Sequence, residues 1–175
     1  MNKVKTKEKY EAFILVTLEP SMIKKTSQYL LNQDKIENIH ELYGQYDILL
    51  KVVADSTADL DDFCEQKLRH VSGIKSTETL IVSQVIKEGD KKTTGLNEAE
   101  IYMLINTKYG KKRKVAQKLA RFSQVERVHE LYGQFDIIIK IKELTRRKLE
   151  DFIQQNIRSM KDIEETETLV VSDIP

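Results

Sequence analysis

The apolar residues in the first half of the chain follow two spacings, one typical of β-strands and one typical of helices. Continuous or alternating apolar runs, rich in β-branched and aromatic residues, predict strands at residues 12–18, 36–43, 47–53 and 74–85. Apolar positions three and four residues apart predict two helices, one after Ser21 and one after Ser56. The predicted order of elements is therefore β-α-β-β-α-β.

This pattern of elements occurs twice along the chain. Residues 40–48 recur at residues 129–137 with a single substitution, so the offset between the copies is 129 − 40 = 89. The offset holds without a gap to the last apolar run, where residues 77–80 and 166–169 both read Thr-Glu-Thr-Leu. Because a repeat at a fixed period marks repeated structural units, we expect two modules of one fold.

The order of elements in each copy predicts a particular sheet. Two right-handed crossovers give a four-stranded antiparallel sheet with both helices on one face, the ferredoxin-like arrangement. The first strand is apolar on both faces, and burying each aliphatic side chain contributes roughly 1.5–3 kcal/mol, so the face away from the helices also needs cover. We therefore expect an α+β fold in which two ferredoxin-like modules pack sheet to sheet as an intrachain pseudo-dimer of the dimeric α+β barrel type.

The repeat and the local composition divide the chain into two domains and a linker. We predict a first domain at residues 10–86, a linker at residues 87–97 and a second domain at residues 98–175. The first part of the linker has two glycines and no apolar residue, which is typical of a flexible connection. Residues 1–9 are mostly charged and polar, and they are too few for a DNA-reading pair of helices.

A tight turn is predicted between the second and third strands of each copy. Gly44 is the first of two loop residues, where a type II′ hairpin requires a positive φ that glycine adopts at little cost. Gly133 occupies the same place in the second copy. The strand that follows returns antiparallel, with Ile48, Leu50 and Val52 on one face.

Composition limits the compartment and the classes of partner. Lys and Arg total 29 against 28 for Asp and Glu, and a formal charge of +1 argues against a dedicated polyanion binder. The single cysteine, Cys64, cannot form an internal disulfide and fits a reducing cytoplasm. The charged start has no signal-peptide core, and no run of about 18 apolar residues predicts a membrane span. We expect a soluble cytoplasmic protein with no membrane partner and no direct nucleic-acid partner.

The motifs carry a family resemblance. The turn at residues 43–47, the helical pair Leu60 and Phe63, and the closing strand at residues 73–79 together resemble the effector-binding domain of the Lrp/AsnC transcription regulators, also called the RAM domain. The resemblance covers nearly the whole chain, twice. Usual family members also carry a helix-turn-helix DNA-binding domain. We expect this chain to lack one and to act on transcription indirectly, through protein partners.

The resemblance also implies a binding site and its ligand. Family effectors, commonly amino acids, bind at clefts between neighbouring pairs of domains, and the pairs often assemble into rings. Carried over by motif, the implied effector-binding residues are Gly44, Asp47, Thr77, Thr79, Gly133, Asp136, Thr166 and Thr168. A carboxylate can hold the ammonium of an amino acid, while hydroxyl and N–H donors hold its carboxylate. The implied protein is a non-catalytic sensor without a cofactor, whose partners are further copies of itself or other Lrp/AsnC-type proteins.

Two other functions stay open from the sequence. A structural or interaction module would keep the fold without a ligand, since Asp47 and Asp136 can simply hold turn backbone and the threonines suit any strand. A small cofactor-poor enzyme of the dimeric α+β barrel type would need a convergent acid/base set, for which His40 and His129 are the candidates. No cluster of Cys and carboxylate residues supports a metal site, so we expect neither metal binding nor catalysis.

The densest run of positive charge, Lys111 to Lys114, falls at the start of the first helix of the second copy. Cations there oppose the helix dipole by a few tenths to about 1 kcal/mol. The first copy has only Lys24 and Lys25 at the matching place, and no aromatic residue interleaves with the run. A solvent-exposed face is therefore favoured over a phosphate or an acidic partner.

Overall fold

The computed structural model describes residues 9–89, 99–143 and 145–172. The chain divides after Ile81 into two compact units, here called the first module and the second module. Most of the predicted linker, residues 87–97, lies outside the described residues, as does the predicted polar start except for Lys9. No helix within the described residues is long and apolar enough to span a bilayer.

The first module has the predicted order of elements. Its strands are β1 (Tyr10–Leu18), β2 (Ile36–Tyr43), β3 (Ile48–Ala54) and β4 (Ile74–Lys87), and its helices are α1 (Ile23–Leu30) and α2 (Thr57–Asp62). A 3-10 turn, Pro20–Met22, precedes α1, while a π-helical turn, Phe63–Lys67, and a 3-10 turn, Leu68–His70, follow α2. Strand β4 runs past Ile81, so its last residues belong to the second module.

The second module repeats this order. Its elements are β5 (Ala99–Thr107), α3 (Lys112–Leu119), β6 (Val125–Tyr132), β7 (Ile137–Glu143), α4 (Arg146–Phe152) and β8 (Ile163–Val171). A π-helical turn, Ile153–Ile157, follows α4 as one follows α2. Antiparallel pairing gives the strand order β2-β3-β1-β4 in the first module and β6-β7-β5-β8 in the second, which is the ferredoxin-like order.

The register of the two sheets is the same. In the first module Ile14 of β1 lies opposite Leu50 of β3 on one side and Thr79 of β4 on the other. The pairs in the second module lie at these positions plus 89. The repeat seen in the sequence therefore extends to individual strand pairs.

Each module has a core between its helices and one face of its sheet. The predicted apolar face of β3, Ile48, Leu50 and Val52, is fully buried in the first core, which confirms the alternation read from the sequence. The face away from the helices is also withdrawn from water. Its buried apolar side chains include Phe13, Leu15 and Leu49 in the first module and Tyr102, Leu104 and Ile138 in the second.

A charged side chain is also buried on that second face. Lys51 of β3 is only 5% exposed, and its ammonium lies 3.3 Å from Glu11 and 3.0 Å from Glu37. A buried ammonium is costly unless it is paired, so the two carboxylates explain how this position tolerates lysine.

The hairpin turn was predicted in part. Gly44 and Gly133 have φ of +132° and +136°, which confirms the need for glycine. The N–H of Leu42 donates to the carbonyl of Asp47 at 2.8 Å, so the hydrogen bond that closes the hairpin encloses four residues, 43–46, and not the predicted two. The predicted turn type is wrong, because a type II′ turn has a φ of about +60° at its first loop residue.

The second helix of each module differs from the prediction of a plain α-helix. In the second module the N–H of Arg158 donates to the carbonyl of Ile153, five residues earlier, at 2.9 Å. Such a π-helical turn widens the helix and is frequent at functional sites. The predicted start is confirmed, since Ser56 Oγ accepts from the N–H of Asp59 at 3.0 Å.

Candidate functional site

The two predicted aspartates hold the ends of the central strands. In the first module, Asp47 Oδ2 accepts from the N–H of Leu18 at 2.6 Å, and the N–H of Asp47 donates to the carbonyl of Val16 at 2.9 Å. The carboxylate therefore ties the β2–β3 turn to the last residues of β1. This is the backbone role that the sequence left open beside a ligand role.

Asp136 holds the equivalent strand end more firmly. Its Oδ2 accepts from the N–H of Thr107 at 2.8 Å and from the hydroxyl of Thr107 at 3.0 Å. Its Oδ1 lies 3.4 Å from Nζ of Lys112, which also donates to the carbonyl of Leu131 at 2.8 Å. The charge of Asp136 is thus already compensated within the second module.

The side chains of the predicted threonines lie on the face of the sheet that the helices cover. Thr77 and Thr79 lie across from Val16 and Ile14, whose side chains belong to the core under the helices. Thr79 Oγ1 lies 3.9 Å from Sγ of Cys64, which confirms its place on the helix side. The structure therefore brings the threonines together with the second helix and does not bring them together with the aspartates.

In the second module, one of the predicted threonines lines a cavity of about 440 Å³. The cavity lies between the β5–β8 pair and the helix formed by α4 and its π-helical turn. Its apolar wall consists of Ile101, Leu149, Ile153, Val170 and Val171, and its polar lining consists of Glu100, Arg146, Glu150, Gln154, Arg158 and Thr168. Its volume and its mixture of surfaces are typical of sites for small organic ligands.

Arg158 supplies a positive charge to this cavity. Within the described part of the chain, no carboxylate lies within salt-bridge distance of its guanidinium. The first module differs here, because Arg69 pairs with Glu65 at 2.5 Å. Gln154 replaces that glutamate in the second module, since 65 + 89 = 154 and 69 + 89 = 158. The substitution leaves Arg158 available for the carboxylate of a ligand.

Glu150 is the carboxylate on the helix side of the cavity. Its Oε1 lies 3.0 Å from Nε of Arg146, and its second oxygen can accept a hydrogen bond from a ligand ammonium. The side chain of Glu100 lies on the other face of the sheet, with Tyr102, and its Oε1 lies 2.7 Å from Nζ of Lys140. The cavity therefore presents both charge types that a zwitterion needs.

Behind the cavity, a buried ion network fixes Lys140. Its ammonium also lies 3.2 Å from Glu126, which pairs with Lys142 at 2.9 Å. Burial alone would raise the pKa of Glu126, but hydrogen bonds and charges from Lys142 and Lys140 outweigh it and hold that pKa below its ordinary value. Burial also raises the pKa of the neighbouring Tyr102 hydroxyl.

The histidines weighed as acid/base candidates differ in environment. His129 is 1% exposed, and its Nε2 lies 2.9 Å from Glu88, which also pairs with Arg127 at 3.1 Å. His40 is half-buried at the equivalent place in the first module. Across the described ranges, no group of three or more His, Cys, Asp or Glu side chains is arranged to hold a metal ion.

The basic run at the start of α3 is paired within the second module. Arg113 makes two hydrogen bonds to Glu130, at 2.6 and 3.0 Å, and Lys114 lies 3.1 Å from Asp162. The hydrogen bond from Lys114 lowers the pKa of the Asp162 carboxyl. These cations remain largely exposed, as predicted, and their partners explain why they tolerate the helix N-terminus.

Arg158 was not predicted from the sequence. Arg158 belongs to no recognised motif, and the π-helical turn that positions it does not change the spacing of the apolar residues. The available signal was a difference between the copies, because Glu65 has an uncharged equivalent in Gln154 while the arginine is kept.

Comparison with known proteins agrees with the repeat. The Lrp/AsnC ligand binding domain matches residues 11–91 and again residues 100–175. An uncharacterized HTH-type transcriptional regulator of Pyrococcus furiosus is 32% identical over 89 residues, which are 51% of this chain and 60% of that protein. The HTH-type transcriptional regulator FL11 of the same organism is 31% identical over 70 residues, 40% of this chain and 46% of its own length. The chain thus spans about half the length of these curated relatives.

Some solved structures resemble nearly the whole chain. The siroheme decarboxylase NirDL is 7% identical, with a TM-score of 0.73 over 98% of this chain and 74% of that one. At this identity the likeness shows the fold alone. The two family matches together cover most of the sequence, so the chain belongs to the Lrp/AsnC ligand binding domain family and contains that domain twice in tandem.

Proposed function

We propose that this chain is a non-catalytic regulatory protein of the Lrp/AsnC type, which binds a small effector and acts on transcription through protein partners. The family membership supports a ligand-binding role, and the matched relatives are named transcriptional regulators. The effector is an amino acid with an aliphatic side chain.

The cavity of the second module carries this proposal. The guanidinium of Arg158 and the hydroxyl of Thr168 suit the carboxylate of an amino acid, because both donate hydrogen bonds. Glu150 suits its ammonium. The aliphatic side chains that form the apolar wall favour a ligand such as leucine or isoleucine over a polar amino acid.

The residues implied by the family motif take two roles in this proposal. Thr166 and Thr168 lie on the face of β8 that adjoins the cavity, and Thr77 and Thr79 hold the equivalent places in the first module. Asp47, Asp136 and the turn glycines Gly44 and Gly133 shape the strand ends and act on binding through the sheet.

The arrangement of the modules is a further part of the proposal. We infer, as the apolar pattern predicts, that the two sheets pack face to face as a pseudo-dimer, and that pseudo-dimers associate with further copies or with other Lrp/AsnC-type proteins. The apolar side chains away from the helices, such as Leu15 and Leu104, support this. Small-angle scattering from a single chain should give a radius of gyration of about 16 Å, the value for one compact body of this length. A clearly larger radius would exclude face-to-face packing.

A thermal-shift screen over the twenty amino acids tests the function. A ligand that binds only the folded state stabilises it by RT ln(1 + [L]/Kd), about 2.7 kcal/mol at a hundredfold excess over Kd. Leucine or isoleucine should raise the melting temperature most, and aspartate and lysine least. If no amino acid shifts the melting of a folded sample, the proposed function is wrong.

A further inference from the structure

A second cavity lies in the first module, between α1 and the turns that follow α2. Its volume is about 480 Å³. It is lined by Met22, Lys25, Thr26, Tyr29, Gln33, Gln66, Lys67, His70, Val71 and Ser72. None of these residues belongs to the effector site proposed above, which lies in the other module.

The charged side chains that line the cavity are all basic. Lys25, Lys67 and His70 line it, and none of its lining residues is an Asp or a Glu. Throughout the described ranges, no carboxylate pairs with any of these three side chains. Uncompensated cations around a concave surface attract a small anion, and lysine is a common phosphate ligand.

One wall of the cavity is held in place by close backbone packing. Gly73 has a φ of +91°, and a Cβ there would lie 2.6 Å from Cβ of Met22. Thr26 Oγ1 donates to the carbonyl of Ser72 at 3.0 Å. These contacts fix the start of α1 against the segment before β4, so the cavity is formed before any ligand enters.

An aromatic ring stands beside the cations. Tyr29 is 54% exposed and lines the cavity, so its ring is accessible to a ligand there. The amides of Gln33 and Gln66 add donors and acceptors that suit the edge of a base. Stacking of a base on an aromatic side chain contributes about 1–3 kcal/mol.

At the equivalent place, the second module has a cavity of about 330 Å³, which is lined by Lys114, Lys118 and Lys161 but also by Asp162. There Asp162 pairs at 3.1 Å with Lys114, the equivalent of Lys25. The equivalents of Lys67 and His70 are uncharged, Asn156 and Ser159. The cavity of the first module therefore differs from its equivalent in having no carboxylate in its lining.

We propose that the cavity of the first module binds a nucleoside phosphate. The phosphate lies among Lys25, Lys67 and His70, and the base stacks on Tyr29. A long nucleic acid is disfavoured, because the whole chain carries a formal charge of only +1 and the cations are confined to one concave site. The site is independent of the amino-acid site.

Calorimetric titration of the full chain with ADP tests the proposal. The wild type should bind ADP, and the affinity should fall as salt rises from about 50 to 200 mM. The double variant Lys25→Ala/Lys67→Ala should lose at least tenfold in affinity. The matched control, Lys114→Ala/Lys118→Ala, removes two positive charges from the equivalent helix of the second module and should change it less than twofold.

The aromatic contact has its own test. Tyr29→Ala should weaken ADP about fivefold or more, the effect of losing at least 1 kcal/mol of stacking, whereas Tyr29→Phe keeps the ring and the affinity. Pyrophosphate binding as tightly as ADP, with no effect of Tyr29→Ala, would overturn the nucleoside assignment. Equal losses in both lysine pairs, or no ADP binding by the folded wild type, would overturn the site. Leucine binding should be the same in all these variants.

Discussion

The carboxylate of Asp136 is hydrogen-bonded to both donors of Thr107, the backbone N–H at 2.8 Å and the hydroxyl at 3.0 Å. Asp47 makes one such bond, to the N–H of Leu18 at 2.6 Å, because leucine has no hydroxyl. Both aspartates therefore secure a hairpin turn to the end of a central strand. Their first role is to stabilise the sheet, and the second module has one more hydrogen bond in this role.

Removing these carboxylates should lower stability unequally. We expect Asp136→Ala to lower the free energy of unfolding by roughly 1.5–3 kcal/mol, because it leaves two donors of Thr107 without their acceptor and removes the carboxylate beside Lys112. Asp47→Ala should cost less, and Thr107→Val, which removes only the hydroxyl bond, should cost less than Asp136→Ala. Urea denaturation measures all three. An Asp136→Ala protein as stable as the wild type would contradict the structural role.

Two glycines with positive φ should differ in their tolerance of alanine. At Gly44 a Cβ would meet no atom within 4 Å, so Gly44→Ala should cost only the backbone strain, about 1–2 kcal/mol. Gly73→Ala adds a clash with Met22, for which overpacking typically costs about 1–3 kcal/mol more. Thermal unfolding of both variants gives the comparison, and a Gly44→Ala protein less stable than Gly73→Ala would contradict it.

The Glu126 network predicts a pH dependence of stability. Because the folded state holds the pKa of Glu126 below its ordinary value of 4.5, the unfolded chain binds more protons in the acidic range. The stabilisation by Glu126 is complete above that value and is lost as the pH falls through the folded-state pKa. Glu126→Gln should therefore lower the free energy of unfolding by roughly 1.5–3 kcal/mol at pH 7, and the difference from wild type should shrink below pH 4.5.

Denaturation curves of wild type and Glu126→Gln between pH 3 and 7 measure this difference. The same substitution at the exposed Glu164 is the control and should show no comparable effect at pH 7. A difference between wild type and Glu126→Gln that grows on acidification would have the wrong sign for a stabilised carboxylate.

The two equivalent arginines should differ in ligand binding. Arg158→Ala should weaken leucine binding at least tenfold, because a charged hydrogen-bonding partner of the carboxylate is removed, while stability should hardly change. Arg69→Ala breaks the exposed pair with Glu65 and should leave leucine affinity unchanged. Calorimetric titrations with leucine compare both variants. Equal affinity losses would show that Arg158 has no specific role.

Much of the fold followed from the sequence for clear physical reasons. The alternation of Ile48, Leu50 and Val52 was readable because one face of β3 is fully buried, and burial on one face imposes a period of two. The positive φ of Gly44 was readable because few other residues tolerate it. The predicted strand at residues 36–43 matches β2 at both ends.

The candidate site was less predictable. The π-helical turns change hydrogen bonding without changing which residues are apolar, so the stripe of Leu60, Phe63 and Leu68 reads as a plain helix. Arg158 is available because Gln154 takes the place of the glutamate that pairs with Arg69 in the first module. The family motif does not include position 158. Asp47 and Thr79 both belong to the family motif. Because side chains along a strand alternate between the two faces of the sheet, the structure does not bring these two side chains together.

Methyl NMR of the intact chain titrated with leucine tests the central claim most directly. The proposed site predicts chemical-shift changes concentrated at the methyl groups that line the second-module cavity, Ile101, Leu149, Ile153 and Val170, and abolished by Arg158→Ala. Methyl groups buried in the first-module core, such as Leu50 and Leu60, should stay unchanged. Shifts elsewhere with these cavity methyls silent, or unchanged shifts in Arg158→Ala, would contradict the assignment.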